Sequence, residues 1–176
     1  LHPCVLFAYM QAICEKDADY IYCDEATFKG NSINHMITLH FKPDFAPDNL
    51  LANNYICHLF AVRRDLLKKV GLLNREYDGA QDYDFVLRCC EKAKRIHHIP
   101  KVLYHWRTHP MSTAGNPASK AYAFEAGRRA LEAHYERVGI RAQVENTEML
   151  GRYRTRFAIQ GQPLVSILIP NKDHIK

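Results

Sequence analysis

No apolar run in this 176-residue chain comes near the roughly 20 consecutive positions that a membrane-spanning helix requires. The opening stretch LHPCVLFAYMQAICEKDADY lacks a basic flank ahead of its apolar segment, so it does not read as a signal peptide. C-x-x-C spacing is missing too. The six cysteines are Cys4, Cys14, Cys23, Cys57, Cys89 and Cys90, and the last two are adjacent, where cysteines seldom pair. That argues against structural zinc and predicts buried, reduced thiols in a cytoplasmic protein. Charge of one sign is scarce as well: the net +5 is modest and spread out, with one denser run, GRYRTRF at 151–157. Its alternation of Arg with other residues reads as a half-exposed strand in preference to a phosphate-binding patch. No internal repeat is visible.

With 47% apolar and 24% charged residues, the chain suffices for one ordinary globular domain with a sizeable core, and a second complete domain would not fit. It opens on Leu1 within what reads as a helix, which predicts that the natural protein extends upstream. Apolar residues recur at helical spacing from Pro3 to about Glu15. ADYIYCDEA switches to a strand, and TFKGNSINHMITLHFKP reads as a turn at Gly30-Asn31 followed by a strand ended at Pro43. Asp48 to Ala52 forms a helical turn, Tyr55 to Val62 is strand-like, and Arg64 to Val70 is a short helix stopped by Gly71. A helix is expected over Asp82 to Ala93, with Phe85, Val86, Cys89, Cys90 and Ala93 facing the core. RIHHIP and KVLYHW follow as two short strands, Pro110 to Pro117 as a loop, and Ala118 to Val138 as a long helix. The stretch 143–176 reads as strand-rich, with VSILIP (165–170) an apolar run suited to the middle of a parallel sheet. The alternation of helices and strands predicts an α/β class.

The stretch DGAQDYDF (78–85) concentrates carboxylates where a glycine turn meets a helix. Asp82 falls at the expected N-cap and Asp84 in the first turn, where free N–H groups and the helix dipole favour a carboxylate and should keep Asp82 ionised. Capping needs one acidic residue, however, and leaves Gln81, Tyr83 and Asp78 unexplained. A cap and a general base can coincide at Asp82. Positions i and i+2 of a helix point in different directions, so the two carboxylates should take separate roles, one handling a proton and the other hydrogen bonding.

GAQDYDFVLR, with HFKPDFAPDNLLANNYICHLFAVRR before it and RIHHIPKVLYHWRTHPMSTA after it, resembles the acceptor-side half of a family 2 glycosyltransferase. The likeness is to bacterial enzymes with tandem catalytic modules that build surface polysaccharide, and it spans roughly residues 1–114. It implies a partial GT-A fold, a Rossmann-like mixed sheet with flanking helices, and an inverting transfer of a hexosyl group from a nucleotide-sugar donor to a glycan or lipid-linked acceptor. By resemblance Asp82 is the base that deprotonates the acceptor hydroxyl, and Gln81 and Asp84 hold acceptor hydroxyls. His105 of YHWR would lie near a metal, Arg107 near the departing diphosphate, and Asp24 of DEA at the substrate site. The family binds Mg²⁺ or Mn²⁺ through a D-x-D motif that its members carry just before the position of Leu1, so that motif is expected upstream. DEA (24–26) matches a later acidic stretch, with Cys23 and Ala26 replacing its usual Ser and Asp. QPLVSILIPNKDH resembles the first strand of such a module. The expected organisation is therefore an acceptor-side half over 1–114, a helix and linker over 115–162 and the opening strand of a second module over 163–176. Such a piece would be inactive by itself. The resemblance further implies a cytoplasmic location at the inner face of the membrane, peripheral membrane association of the full-length protein, and no nucleic-acid partner. Two rival expectations are an anionic-polymer-binding module built on GRYRTRF and a non-catalytic scaffold, for which Ala26 is the local hint.

Overall fold

The computed structural model describes residues 1–108, 121–170 and 172. Its helices are α1 (Val5–Lys16), α2 (Pro47–Leu50), α3 (Arg64–Val70), α4 (Gln81–Lys92) and α5 (Ala121–Arg137), and a turn of 3-10 helix covers Arg75–Tyr77. Its strands are β1 (Tyr20–Phe28), β2 (Met36–His40), β3 (Phe60–Val62), β4 (Ile96–Arg107), β5 (Ala142–Asn146) and β6 (Tyr153–Phe157). The class is α/β with a mixed sheet, as the alternation of elements predicts.

β1 organises the sheet. On one edge β4 runs parallel to it along its whole length. On the other edge, β3 pairs antiparallel with Tyr20–Tyr22 and β2 antiparallel with Glu25–Phe28. β1 is buried on both faces, which is why its apolar residues do not alternate with polar ones; its carboxylates Asp24 and Glu25 are buried too. Tyr20 and Tyr22 enter a core with α3, α4 and α5, while Ile21 and Cys23 enter a second core with Val5, Ala8, Tyr9 and Ala12 of α1. Asp19, buried before β1, accepts from the backbone N–H groups of Lys94 (2.8 Å) and Arg95 (2.9 Å), which sets the start of β4 beside it.

Three expectations change. RIHHIP and KVLYHW form one twelve-residue strand, because β1 pairs Cys23 with Ile99 and then Asp24 with Val102, so Pro100 and Lys101 bulge out of the ladder to which a proline cannot donate. The strand expected over Tyr55–Val62 shrinks to Phe60–Val62. Upstream, the Asn54 side chain accepts from Cys57 N–H (3.2 Å), and Cys57 adopts a left-handed φ of 43°, so the chain turns there. VSILIP (165–170) takes no regular structure; Leu168 is 90% exposed, and among the described residues no strand pairs with it. An apolar strand of this kind needs neighbours on both edges and both faces.

GRYRTRF does include a strand, β6, which pairs antiparallel with β5 and places Arg156 beside Glu145 (2.7 Å). α5 and the β5–β6 hairpin pack into the same core as α4 through Ala126, Ala130, Leu131, Tyr135, Val144 and Tyr153. The loop expected over Pro110–Pro117 and the first residues of the Ala118–Val138 helix lie outside the described residues, as do 173–176 of the tail.

Candidate active site

The DGAQDYDF turn is shaped by close packing. Gly79 has φ +93°, and a Cβ there would lie 2.8 Å from the Ala123 side chain of α5. Its N–H donates to Gln81 Oε1 (2.7 Å). The N-cap of α4 is Ala80, not Asp82, and no side chain caps the helix. Asp82 and Asp84 are thus both first-turn residues. The capping reading of Asp82 gives way to a different environment.

Asp82 lines an open cleft of about 640 Å³ between the turn, the 53–58 loop, the end of β4, α5 and the 150–153 segment. Asn54 Nδ2 donates to Asp82 Oδ2 at 3.2 Å. Burial raises the Asp82 carboxyl above the usual carboxylate range, only partly opposed by the N–H groups of Tyr83 and Asp82, the charge of His58 and the Asn54 hydrogen bond. The N–H groups at the helix start favour the carboxylate, as the dipole argument expects, but burial is the larger effect. Burial wins, and the carboxylate is a better base for it.

The other sequence-predicted residues divide. Gln81 lines the same cleft. Asp84 does not: it is 1% exposed, turned under the helix, and paired with Arg88 of the next turn at 2.8 Å. The separation of the two carboxylates follows from helical geometry as expected, but Asp84 meets arginine and not the cleft. Asp24 is also taken up by the fold, with Oδ1 accepting from Lys42 N–H (2.9 Å) and lying 2.8 Å from His98 Nε2. Strand alternation sends Trp106 into the cleft and His105 to the opposite face, where burial, the N-terminal amine and His2 lower its pKa. Arg107 is exposed, its guanidinium over the Phe28 ring at 5.4 Å. The structure thus gathers Gln81 and Asp82, and leaves Asp84, Asp24, His105 and Arg107 outside the cleft.

In their place stand residues that the pattern did not single out. His58 stacks on Tyr104 (centroids 5.5 Å) and tilts against Trp106 (5.1 Å). Its Nδ1 lies 3.4 Å from Oε2 of Glu25. Burial alone would raise the Glu25 carboxyl, but His40, His58 and Lys42 pull it down to about 2. Tyr83 and Tyr153 stack at 6.0 Å, and together with Phe124, Trp106 and Arg152 they complete a wall of rings and one cation. Only the local string NNYICH could have drawn attention to Asn54 and His58, and nothing in a single sequence pairs it with residues 81–82. A further cleft of about 740 Å³ beside the β5–β6 hairpin holds none of the predicted residues.

Among the described residues, the side chains placed to share an ion are Glu25, Cys57 and His58. One carboxylate, one thiol and one imidazole do not suit Mg²⁺, which takes oxygen ligands in near-octahedral geometry, and His105 is not among these side chains. The D-x-D motif that the resemblance assigns to Mg²⁺ or Mn²⁺ is expected upstream of Leu1, and no step below runs through either ion.

No family model matches the chain. It is 42% identical over 179 residues to the uncharacterized protein y4gI of Sinorhizobium fredii, an alignment covering 99% of this chain and 20% of that protein. It is 37% identical over 161 residues to the O-antigen biosynthesis protein RfbC of Myxococcus xanthus, covering 92% of this chain and 12% of that protein. The chain therefore spans a fifth or less of the length of these curated relatives.

Proposed function

We propose that the chain is the acceptor-side part of an inverting glycosyltransferase module acting in the assembly of a surface polysaccharide. The observation that carries this reading is Asp82, a carboxylate of raised pKa fixed by Asn54 at the floor of an open, ring-lined cleft. Similarity to a protein named for O-antigen biosynthesis supports the polysaccharide context. In the proposed reaction Asp82 accepts the proton of an acceptor hydroxyl as that oxygen bonds to the anomeric carbon of a nucleotide-sugar, and the bond from that carbon to the diphosphate breaks. Trp106 offers an apolar ring face to a pyranose, while Gln81 and Asn54 offer amide groups to its hydroxyls. Arg152, exposed at the rim, supplies positive charge where anionic groups gather.

Within this reading residues 1–114 form the acceptor-side half of one module, 115–162 a helix and linker, and 163–176 the first strand of the next. The donor is a nucleotide-sugar and the acceptor a glycan or lipid-linked glycan, with the full-length protein at the inner face of the membrane. The described helices include none long and apolar enough to cross a membrane. The test is Asp82→Asn in the full-length protein. Sugar transfer should fall by about 10²–10⁴-fold, the usual worth of a positioned general base, while nucleotide-sugar binding is retained. Unchanged turnover would reject the role of Asp82.

A further inference from the structure

We propose that Glu25, Cys57 and His58 form a site for one thiophilic divalent cation of the zinc class. This inference stands independently of the transferase reading. The first observation is an unmet need. Glu25 Oε2 is buried and has no hydrogen-bond partner. Lys42, the cation beside it, does not supply one: its ammonium stands 3.8 Å away and donates to the carbonyls of Ile56 (2.5 Å) and His58. A buried carboxylate oxygen that accepts no hydrogen bond calls for a partner.

The second observation is geometric. His58 Nδ1 is 3.4 Å from Glu25 Oε2 and 3.1 Å from Cys57 Sγ, and the three candidate ligand atoms all lie within 4.8 Å of one another. Tetrahedral zinc, with bonds of about 2.0 Å to nitrogen or oxygen and about 2.3 Å to sulfur, separates its ligand atoms by about 3.5 Å. The two contacts at His58 Nδ1 are near that spacing, and a single Nδ1 proton cannot satisfy both the sulfur and the carboxylate. The chemistry of the set selects the ion. A thiolate and an imidazole favour zinc-class cations, while one carboxylate is too few oxygens for magnesium or calcium.

Charge is consistent with this choice. On binding, the Cys57 thiol gives up its proton to solvent; the thiolate and the Glu25 carboxylate offset the two charges of the ion, and the Lys42 ammonium stays on the carbonyls of Ile56 and His58. His40 Nδ1, 3.3 Å from the other Glu25 oxygen, steadies the carboxylate from behind. Three protein ligands leave a fourth position. Cys57 and His58 line the cleft and Glu25 lies beneath it, so that position opens toward the cleft.

Cobalt(II) titration of the full-length protein tests the site. A near-ultraviolet thiolate-to-cobalt charge-transfer band is expected to saturate at one ion per chain and to vanish on adding zinc. Cys57→Ser should abolish the band, whereas Cys4→Ser should leave it intact, although exposed Cys4 has His2 beside it at 2.9 Å. Should Cys57→Ser fail to fold by circular dichroism, His58→Gln, at a partly exposed position, provides the same readout through loss of cobalt binding. Absence of the band at stoichiometric cobalt, or its survival in Cys57→Ser, would overturn the proposal and leave the Glu25 oxygen to water.

Discussion

Asn54 and Asp82, 28 residues apart, share a hydrogen bond of 3.2 Å that joins the loop before β3 to the first turn of α4. The same asparagine accepts from the N–H of Cys57 (3.2 Å), which orients its amide so that the NH₂ group faces the carboxylate. Because this bond lowers the Asp82 pKa against the dominant effect of burial, removing it has a defined sign. Asn54→Ala should raise the Asp82 pKa further and move the acid limb of the pH–rate profile of the full-length protein to higher pH. A limb that stays in place would mean that another group sets it.

Asp82 and Asp84 lie within one helical turn and should respond oppositely to amidation. Asp82 has a folded-state pKa raised by burial, so its contribution to stability is most favourable below the unfolded value of about 3.9 and is lost as pH rises through the folded value. Asp82→Asn should therefore raise the melting temperature at neutral pH relative to wild type, and the gap should close in acid. This is the pattern of a residue kept for function at a cost in stability.

Asp84 is 1% exposed and bound to Arg88 at 2.8 Å, so Asp84→Ala leaves a partly buried guanidinium without its carboxylate partner. A loss of about 3–5 kcal/mol in denaturant unfolding is expected. A loss below about 1 kcal/mol would show that Arg88 is served by the carbonyls of Val70 and Leu72 alone.

Glu91 ties α4 to α5 through Arg137 (2.8 Å) and His134 (2.7 Å). Burial alone would raise its carboxyl, but these partners lower it. Its contribution to stability is present above the unfolded value of about 4.3 and disappears as pH falls through the lowered folded value. Glu91→Gln should be less stable than wild type at neutral pH, with the difference shrinking in that acid window as followed by thermal melts.

Gly127 of α5 faces the phenol of Tyr153: a Cβ at position 127 would sit 2.0 Å from the Tyr153 oxygen, which donates to Phe124 O at 3.1 Å. Gly127→Ala should destabilise by about 1–3 kcal/mol, the range for overpacking. Adding Tyr153→Phe should recover only part of this, since the next ring atom would still lie 2.9 Å away.

The elements with strong local signals were legible in the sequence. α1, α3, α4 and α5 follow 3.6-residue apolar periodicity, β1 and β2 follow composition and turn residues, and their alternation points to α/β. Local signals failed where partners decide the outcome. Pro100 suggested a break, but a bulge against β1 carries β4 through it. VSILIP carries strand composition and finds no strand beside it among the described residues.

The candidate site shows the same division. Sequence by itself determined that a helix opens behind a glycine turn near Asp82 and that Asp82 and Asp84 point in different directions, because these are consequences of helical spacing over a few residues. Only the tertiary structure decided that Asn54, His58, Trp106 and Tyr153 surround Asp82, that His105 and Arg107 do not, and that burial outweighs the helix N-terminus at its carboxyl. Desolvation and side-chain convergence depend on which distant segments pack together, and no local pattern encodes that.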